Sequence, residues 1–355
     1  MSRCPCLTAH DGSVDNVTVL FATHSAYLDH LAGPRHPERP ERLEAVLAGA
    51  RVGDVVDALI PVEPEPATRE DLERVHPAWY LDRIEGLSLR GGGRIDADTF
   101  ASPGSWRAAT LAAGAGLTAV AALQRGEGDA AFCAVRPPGH HASATESMGF
   151  CIISNVAVVA AALAAQGERV LVFDYDAHHG NGTQAVFYAD PRVLFVSLHQ
   201  WPLYPGTGRY DEIGEGAGEG TTLNVPLPPG ATGDVYLHAF DDLAAPIVDQ
   251  FSPTWVIVSA GFDAHRNDPI TELELSAGDY APLTRRVLEL VPAGRRLVML
   301  EGGYDLEALT LCSATVLRVM AGEFAGHVLE HATSGGPGTQ AVQRVREHWH
   351  RTGRL

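Results

Sequence analysis

Residues 170–183 read VLVFDYDAHHGNGT, and the fold follows from them. Val170 to Phe173 are apolar without a polar residue between them, and Asp174 ends the run. A strand that faces water on one side alternates; an unbroken apolar strand is covered on both faces, as in a parallel sheet. The polar cluster that follows is too rich in Gly, His and Asp to extend the strand. Similar runs occur at Val17–Thr23, Ala130–Val135, Val193–Ser197, Trp255–Ala260 and Leu297–Glu301. Between them lie Ala- and Leu-rich stretches with helical spacing at Arg39–Ala50, Trp106–Gln124, Asn155–Gln166, Asp234–Gln250, Asp279–Val291 and Asp305–Met320. Alternating strands and helices predict an α/β fold, a central, mostly parallel, doubly wound sheet flanked by helices. There is no internal repeat and no linker, so residues 17–355 read as one domain with a helical C-terminal tail. Residues 1–16 read as a loose polar tail, and Gly214–Gly220 and Gly335–Gly338 as surface loops.

The chain has 355 residues and a net charge of −18, and all 26 of its basic residues are arginine. Without lysine there is no Schiff-base or phosphate-loop lysine chemistry. The acidic balance argues against gripping nucleic acid through its phosphates. Cys4, Cys6, Cys133, Cys151 and Cys312 are scattered and form no CxxC pair, which points to a reducing, cytoplasmic setting. No signal-peptide core is visible. The longest apolar run, Val156–Ala165, is too short to span a membrane, so no membrane partner is expected.

Five strand candidates are followed at once by polar clusters: RPPGHHA (136–142), DYDAHHGNG (174–182), SLHQWPLYPGTG (197–208), SAGFDAH (259–265) and EGGYD (301–305). Ligands of open α/β sheets bind beyond the carboxyl ends of the strands, so these clusters are expected to converge on one crevice. Asp176 and His178 stand two apart at a strand end and point the same way. With Asp263 they form an Asp/His/Asp set of three protein ligands, the open arrangement of a catalytic zinc. Taken singly, Asp176 or His178 reads better as a cap of the next helix; buried acids together beside four histidines call for a cation. His140 and His141 follow a stiff Pro-Pro-Gly turn. Adjacent imidazoles beside a metal do not both stay protonated, which suits acid/base work. Tyr304, after Gly302 and Gly303, is placed to donate to an oxyanion.

RPPGHHA, GFCIISN, DYDAHHGNGT, SAGFDAH and LEGGYD, in this order and with HPERPERL at 36–43, together resemble the zinc-dependent histone deacetylase superfamily. That superfamily includes bacterial acetylpolyamine amidohydrolases and acetoin-utilisation proteins. The resemblance runs from about Thr23 to about Met320 and is nearest the class II and bacterial amidohydrolase branch. It implies an arginase/deacetylase-like fold, with Asp176, His178 and Asp263 holding one zinc. His141 becomes the general base, and His140, oriented by Asp174, the electrostatic or acid partner beside the leaving amine. Asn181 orients His141, where class I enzymes have aspartate. Tyr304 polarises the amide carbonyl; a tyrosine there implies a competent deacetylase. The resemblance also implies structural potassium at Asp174, Asp176, His178, Ser197 and Leu198, with a second site at Phe187, Asp190 and Val193. Gly149, Phe150 and Tyr204 form an apolar tunnel, Asp98 lies at its rim, and Ile270 and Gly302 complete the substrate-binding set. Polyamine-specific relatives place a glutamate after the Asp-Pro pair; here Asp268-Pro269 is followed by Ile270.

The expected activity is zinc-dependent hydrolysis of acetyl or other acyl groups from lysine in proteins or peptides, releasing acetate. The first alternative is the same chemistry on acetylated polyamines, because an acidic surface attracts either class of cation. The second is a non-catalytic acyl-lysine binder on the same fold. A ureohydrolase reading needs further aspartates to bridge two manganese ions, and Phe262-Asp263-Ala264 lacks them. The loops Leu28–Pro34 and Gly86–Asp98 are the candidate sites for a homo-oligomer interface or for the tunnel mouth.

Overall fold

The computed structural model describes residues 17–323 and 329–355. The expected tail at 1–16, with Cys4 and Cys6, lies outside the described residues. Ten strands occur among the described residues: β1 (Val19–Ala22), β2 (Leu59–Val62), β3 (Gly93–Arg94), β4 (Phe100–Ala101), β5 (Ala130–Cys133), β6 (Val170–Asp174), β7 (Val193–Gln200), β8 (Thr222–Leu227), β9 (Trp255–Ala260) and β10 (Arg296–Leu300). Eight of them form one sheet in the order β2-β1-β5-β10-β9-β6-β7-β8, and β3 pairs with β4 as a separate two-residue ribbon. Every pairing in the large sheet is parallel; Val170 to Asp174 face Val193 to Ser197 on one side and Trp255 to Ser259 on the other. All residues of β5, β6, β7 and β9 are buried, as unbroken apolar runs require.

The two strands of the large sheet not anticipated from sequence, β2 and β8, are its edges, and each contains a proline, Pro61 and Pro226. A proline offers no N–H to a further strand, so it suits an edge and also weakens the strand signal. β7 runs three residues beyond the anticipated Ser197, so the loop of its cluster begins at Trp201. The helix expected over Asp234–Gln250 is Gly233–Ala239, a π turn at Phe240–Ala244, and Ala245–Phe251. Pro246 has no N–H for the ladder, and the widened turn just before it absorbs that loss. A helix at Ala78–Leu89 was not anticipated, and the helical C-terminal tail is Thr339–Arg351.

Helix Ser105–Gln124 has the length and hydropathy of a membrane span, which the ten-residue run at Val156–Ala165 does not; 72% of its apolar window is buried inside the protein. It packs on Asn155–Ala165 and β5, and the fit is close at Gly114, where a Cβ would overlap the main-chain oxygen of Glu65. The clusters after β5, β10, β9, β6 and β7 belong to five consecutive neighbours in the sheet. Their carboxyl ends therefore open on one crevice.

Candidate active site

Asp176 and His178 leave β6 in the turn before helix Asn181–Phe187, and Asp263 leaves β9. One ligand atom from each lies within 4.8 Å of the others, and all three residues are buried. The helix that follows has Gly180 at its N-cap with no side-chain cap, so Asp176 and His178 are not capping it. His178 Nδ1 instead stands 2.9 Å from Asp263 Oδ2 and 3.2 Å from Asp176 Oδ1. Gly302 N–H donates to Asp176 Oδ2 at 2.8 Å and Ala177 N–H to Asp263 Oδ1 at 2.8 Å. These bonds orient the carboxylates but leave two negative charges in a dry site, a donor set that fits a divalent cation. A second group of ligand type, His140, Cys151 and Glu301, gathers nearby. There Glu301 Oε2 is already held by the amides of Gly139 and His140, at 2.6 and 3.1 Å.

The two histidines of the turn after β5 differ in their partners. His140 Nδ1 donates to Asp174 Oδ2 at 3.0 Å, while His141 Nδ1 donates to the neutral oxygen of Asn181 at 2.8 Å. Burial disfavours the charged form of both. At His140 the charges of Asp176 and Asp174 overcome burial and raise its pKa. At His141 burial, reinforced by repulsion from His140 and His178, holds the pKa well below the usual value. His141 is therefore a neutral imidazole with its Nε2 lone pair free, the form a general base needs.

Tyr304 is 7% exposed, and burial keeps its hydroxyl protonated. The Arg42 guanidinium lies 4.9 Å from the centre of its ring and donates from Nε to Gly303 O at 2.7 Å. Arg42 and Arg136 share Glu38, with Arg136 Nη2 at 2.7 Å from Glu38 Oε2 and Arg42 Nη1 at 3.3 Å from Oε1; all three side chains are fully buried. The motif HPERPERL thus anchors the tyrosine turn from beneath.

A cavity of about 250 Å³ ends on these groups and is lined by Asp98, His141, Gly149, Phe150, His178, Leu203, Tyr204, Ile270 and Tyr304. Phe150 meets the Tyr304 ring edge-on at 5.6 Å, and Tyr204 meets His141 edge-on at 5.2 Å. Phe150 has φ +69, an unusual conformation for a bulky residue, and acceptors from the Asp98 segment hold it there. Gly149 N–H donates to Asp98 Oδ1 at 3.2 Å, and Phe150 N–H to Thr99 Oγ1 at 3.0 Å. At Gly149 a Cβ would overlap the His141 ring.

Gly302, expected among substrate-binding residues, lies behind the carboxylates instead. A side chain there would collide with Asp263 and Asp176, and Gly302 is not in the cavity lining. Asp174 faces Ser197 across β6 and β7, with Leu198 next in the strand. Phe187, Asp190 and Val193 share a turn, but Arg192 binds both Asp190 carboxylate oxygens at 2.9 and 2.6 Å. Leu203, Arg42, Glu38, Glu301 and Asp268 were missed as site residues. The available signal was polar: a charged residue at the end of a buried strand, or a buried HPERPERL arginine, needs a partner.

The comparisons with known proteins agree with this geometry. The histone deacetylase domain matches residues 36–320. A probable deacetylase of Archaeoglobus fulgidus is 42% identical over 306 residues, covering 84% of this chain and 85% of that one. A histone deacetylase-like amidohydrolase of Pseudomonas aeruginosa is 40% identical over 297 residues, covering 82% and 78%. The crystal structure of the HDA15 HD domain superposes with a TM-score of 0.87 at 35% identity, covering 94% of this chain and 95% of that one. The chain belongs to the histone deacetylase family and is a deacetylase-type amidohydrolase.

Proposed function

We propose that this protein hydrolyses N-acyl-lysine in proteins or peptides, releasing acetate, with one zinc held by Asp176, His178 and Asp263. The observation that carries this reading is the cavity itself. Phe150 and Tyr204 flank a narrow apolar passage, and His141, His178 and Tyr304 stand at its end. Such a passage suits the methylene stem of an acyl-lysine. Ile270 lines the wall where an acid would favour a second amine.

Zinc bound there supplies Lewis-acid polarisation of the acyl carbonyl and of the attacking water. The Asn181 side chain fixes the His141 tautomer, so Nε2 takes the proton from water. His140, whose Nδ1 donates to Asp174, faces the leaving nitrogen as proton donor. Tyr304 donates its hydroxyl hydrogen to the developing oxyanion. The reading includes potassium beside Asp174, Ser197 and Leu198, supported by a buried carboxylate opposite a serine. At Phe187, Asp190 and Val193 a second ion would have main-chain oxygens only, because Arg192 occupies the carboxylate. We place the enzyme in the cytoplasm, acting without nucleic acid.

Among the described residues Asp98 is the one acidic side chain in the cavity lining, and it favours acetylated polyamines as the second reading. Measuring kcat/KM for an acetyl-lysine peptide and for acetylputrescine on the zinc-loaded protein decides between them. The peptide should be the better substrate. A large preference for the diamine reverses the order, and binding of the peptide with no acetate released from either makes the protein a binder.

A further inference from the structure

The Gly303–Tyr304 peptide unit is gripped at both ends. Its carbonyl accepts from Arg42, and its N–H donates to Asp268 Oδ2 at 2.7 Å. The same carboxylate oxygen accepts from the Asp305 amide at 3.4 Å, and Oδ1 accepts from the Ile270 amide at 3.1 Å. Asp268 is 6% exposed and does not line the cavity. It reaches this position because the loop leaving β9 turns back five residues after Asp263.

An external anchor is needed here for a physical reason. Gly302 and Gly303 precede Tyr304, and Gly303 has φ +115, so the backbone has little intrinsic stiffness of its own. The working atom of Tyr304 lies at the far end of its side chain, where a small rotation of the backbone becomes a large displacement. One carboxylate holding amides on both the tyrosine turn and the Ile270 turn removes that freedom.

We propose that Asp268 is the positioning residue for Tyr304: it sets the phenol hydroxyl over the reacting carbonyl and locks the tyrosine turn to the Ile270 wall of the cavity. The inference rests on the deacylase reading. Asp268 touches neither the substrate passage nor the metal ligand atoms, so it acts through Tyr304.

The test is a double-mutant cycle. Asp268→Ala is made alone and in Tyr304→Phe, and acetate release from an acetyl-lysine peptide, zinc content and Tm are measured. Asp268→Ala should lower kcat at least about tenfold with KM within about twofold, because the loss is confined to the transition state. Zinc content should stay at the wild-type level. Asp268→Asn, which keeps an acceptor oxygen for the Tyr304 amide, should recover much of the rate. In Tyr304→Phe, where the hydroxyl is already gone, adding Asp268→Ala should cost less than about twofold. A full multiplicative loss in that background, or loss of zinc, overturns the proposal in favour of a general structural role. An unchanged kcat in active protein also overturns it. If Asp268→Ala is too unstable to purify, Asp268→Glu, which keeps the charge but overreaches the amides, carries the same cycle. A wild-type protein that releases no acetate removes the deacylase reading and the positioning role with it, an outcome distinct from active wild type with an unaffected variant.

Discussion

At Asn181 the side-chain oxygen receives the Nδ1 proton of His141 over 2.8 Å, while 3.0 Å from His140 the acceptor is the carboxylate of Asp174. A neutral acceptor fixes a tautomer without stabilising an imidazolium, and a charged one does both. Two adjacent residues of the same type are therefore assigned opposite tasks by their partners. His141→Ala should abolish most activity, on the order of 10²–10⁴-fold. Asn181→Ala, which loosens the ring but leaves the base, should cost only about 10–100-fold. Steady-state kinetics on one acyl-lysine peptide compares the two, and the reverse order would remove His141 from the base role. Tyr304→Phe should lower kcat by about 10²–10³-fold, since one oxyanion donor is lost. Its zinc content by mass spectrometry should equal wild type; loss of metal would contradict its place as an oxyanion donor. The pairing of His141 with Asn181 was anticipated from the family resemblance, but Glu301 and Asp268 were not. Each works by accepting main-chain N–H groups from a segment distant in sequence, and nothing local to either residue names that segment.

The elements show the same contrast. Continuous apolar runs identified six strands because burial on both faces writes itself into every residue. The edge strands β2 and β8 escaped because a proline interrupts each apolar run, and in β8 the buried polar residues Thr222 and Asn224 break it further. Helix Ser105–Gln124 was legible from composition, yet its closest contact was not. At Gly114 the helix approaches the chain at Glu65 so closely that no Cβ fits. In an isolated helix Gly→Ala gains about 1 kcal/mol. Here Gly114→Ala should lower stability instead, by about 1–3 kcal/mol of overpacking. Urea denaturation followed by circular dichroism reads the sign directly, and a stabilised variant would show that the Glu65 segment yields freely.

For the whole molecule, the five clusters, spread over residues 136–305 of the sequence, stand on five adjacent strands. That adjacency holds the site together, and the buried Glu38 helps to anchor it. Burial opposes its charge, but the Arg136 guanidinium, with His30, keeps its carboxyl well below the ordinary glutamate value of 4.5. A group whose pKa falls on folding stabilises the protein above its unfolded pKa and loses that contribution as pH drops. Stability should therefore be full near neutral pH and decline as pH falls below about 4.5. Glu38→Gln should be less stable than wild type at pH 7, with the gap closing on acidification. Urea midpoints between pH 7 and pH 3 measure this; a gap that stays constant would show that Glu38 does not carry a shifted charge.

The sequence by itself determined the α/β class, the strands of the sheet interior and the residue types able to hold a metal and move a proton. These properties are local: periodicity, burial and donor chemistry are carried by each segment alone. Only the tertiary structure decided which strands are neighbours, that Gly302 lies behind the carboxylates, and that Asp268 and Arg42 grip the two ends of one peptide unit. Those contacts join segments up to 261 residues apart, and a side chain that binds a distant main-chain group shows in sequence that it needs a partner but not which segment supplies it.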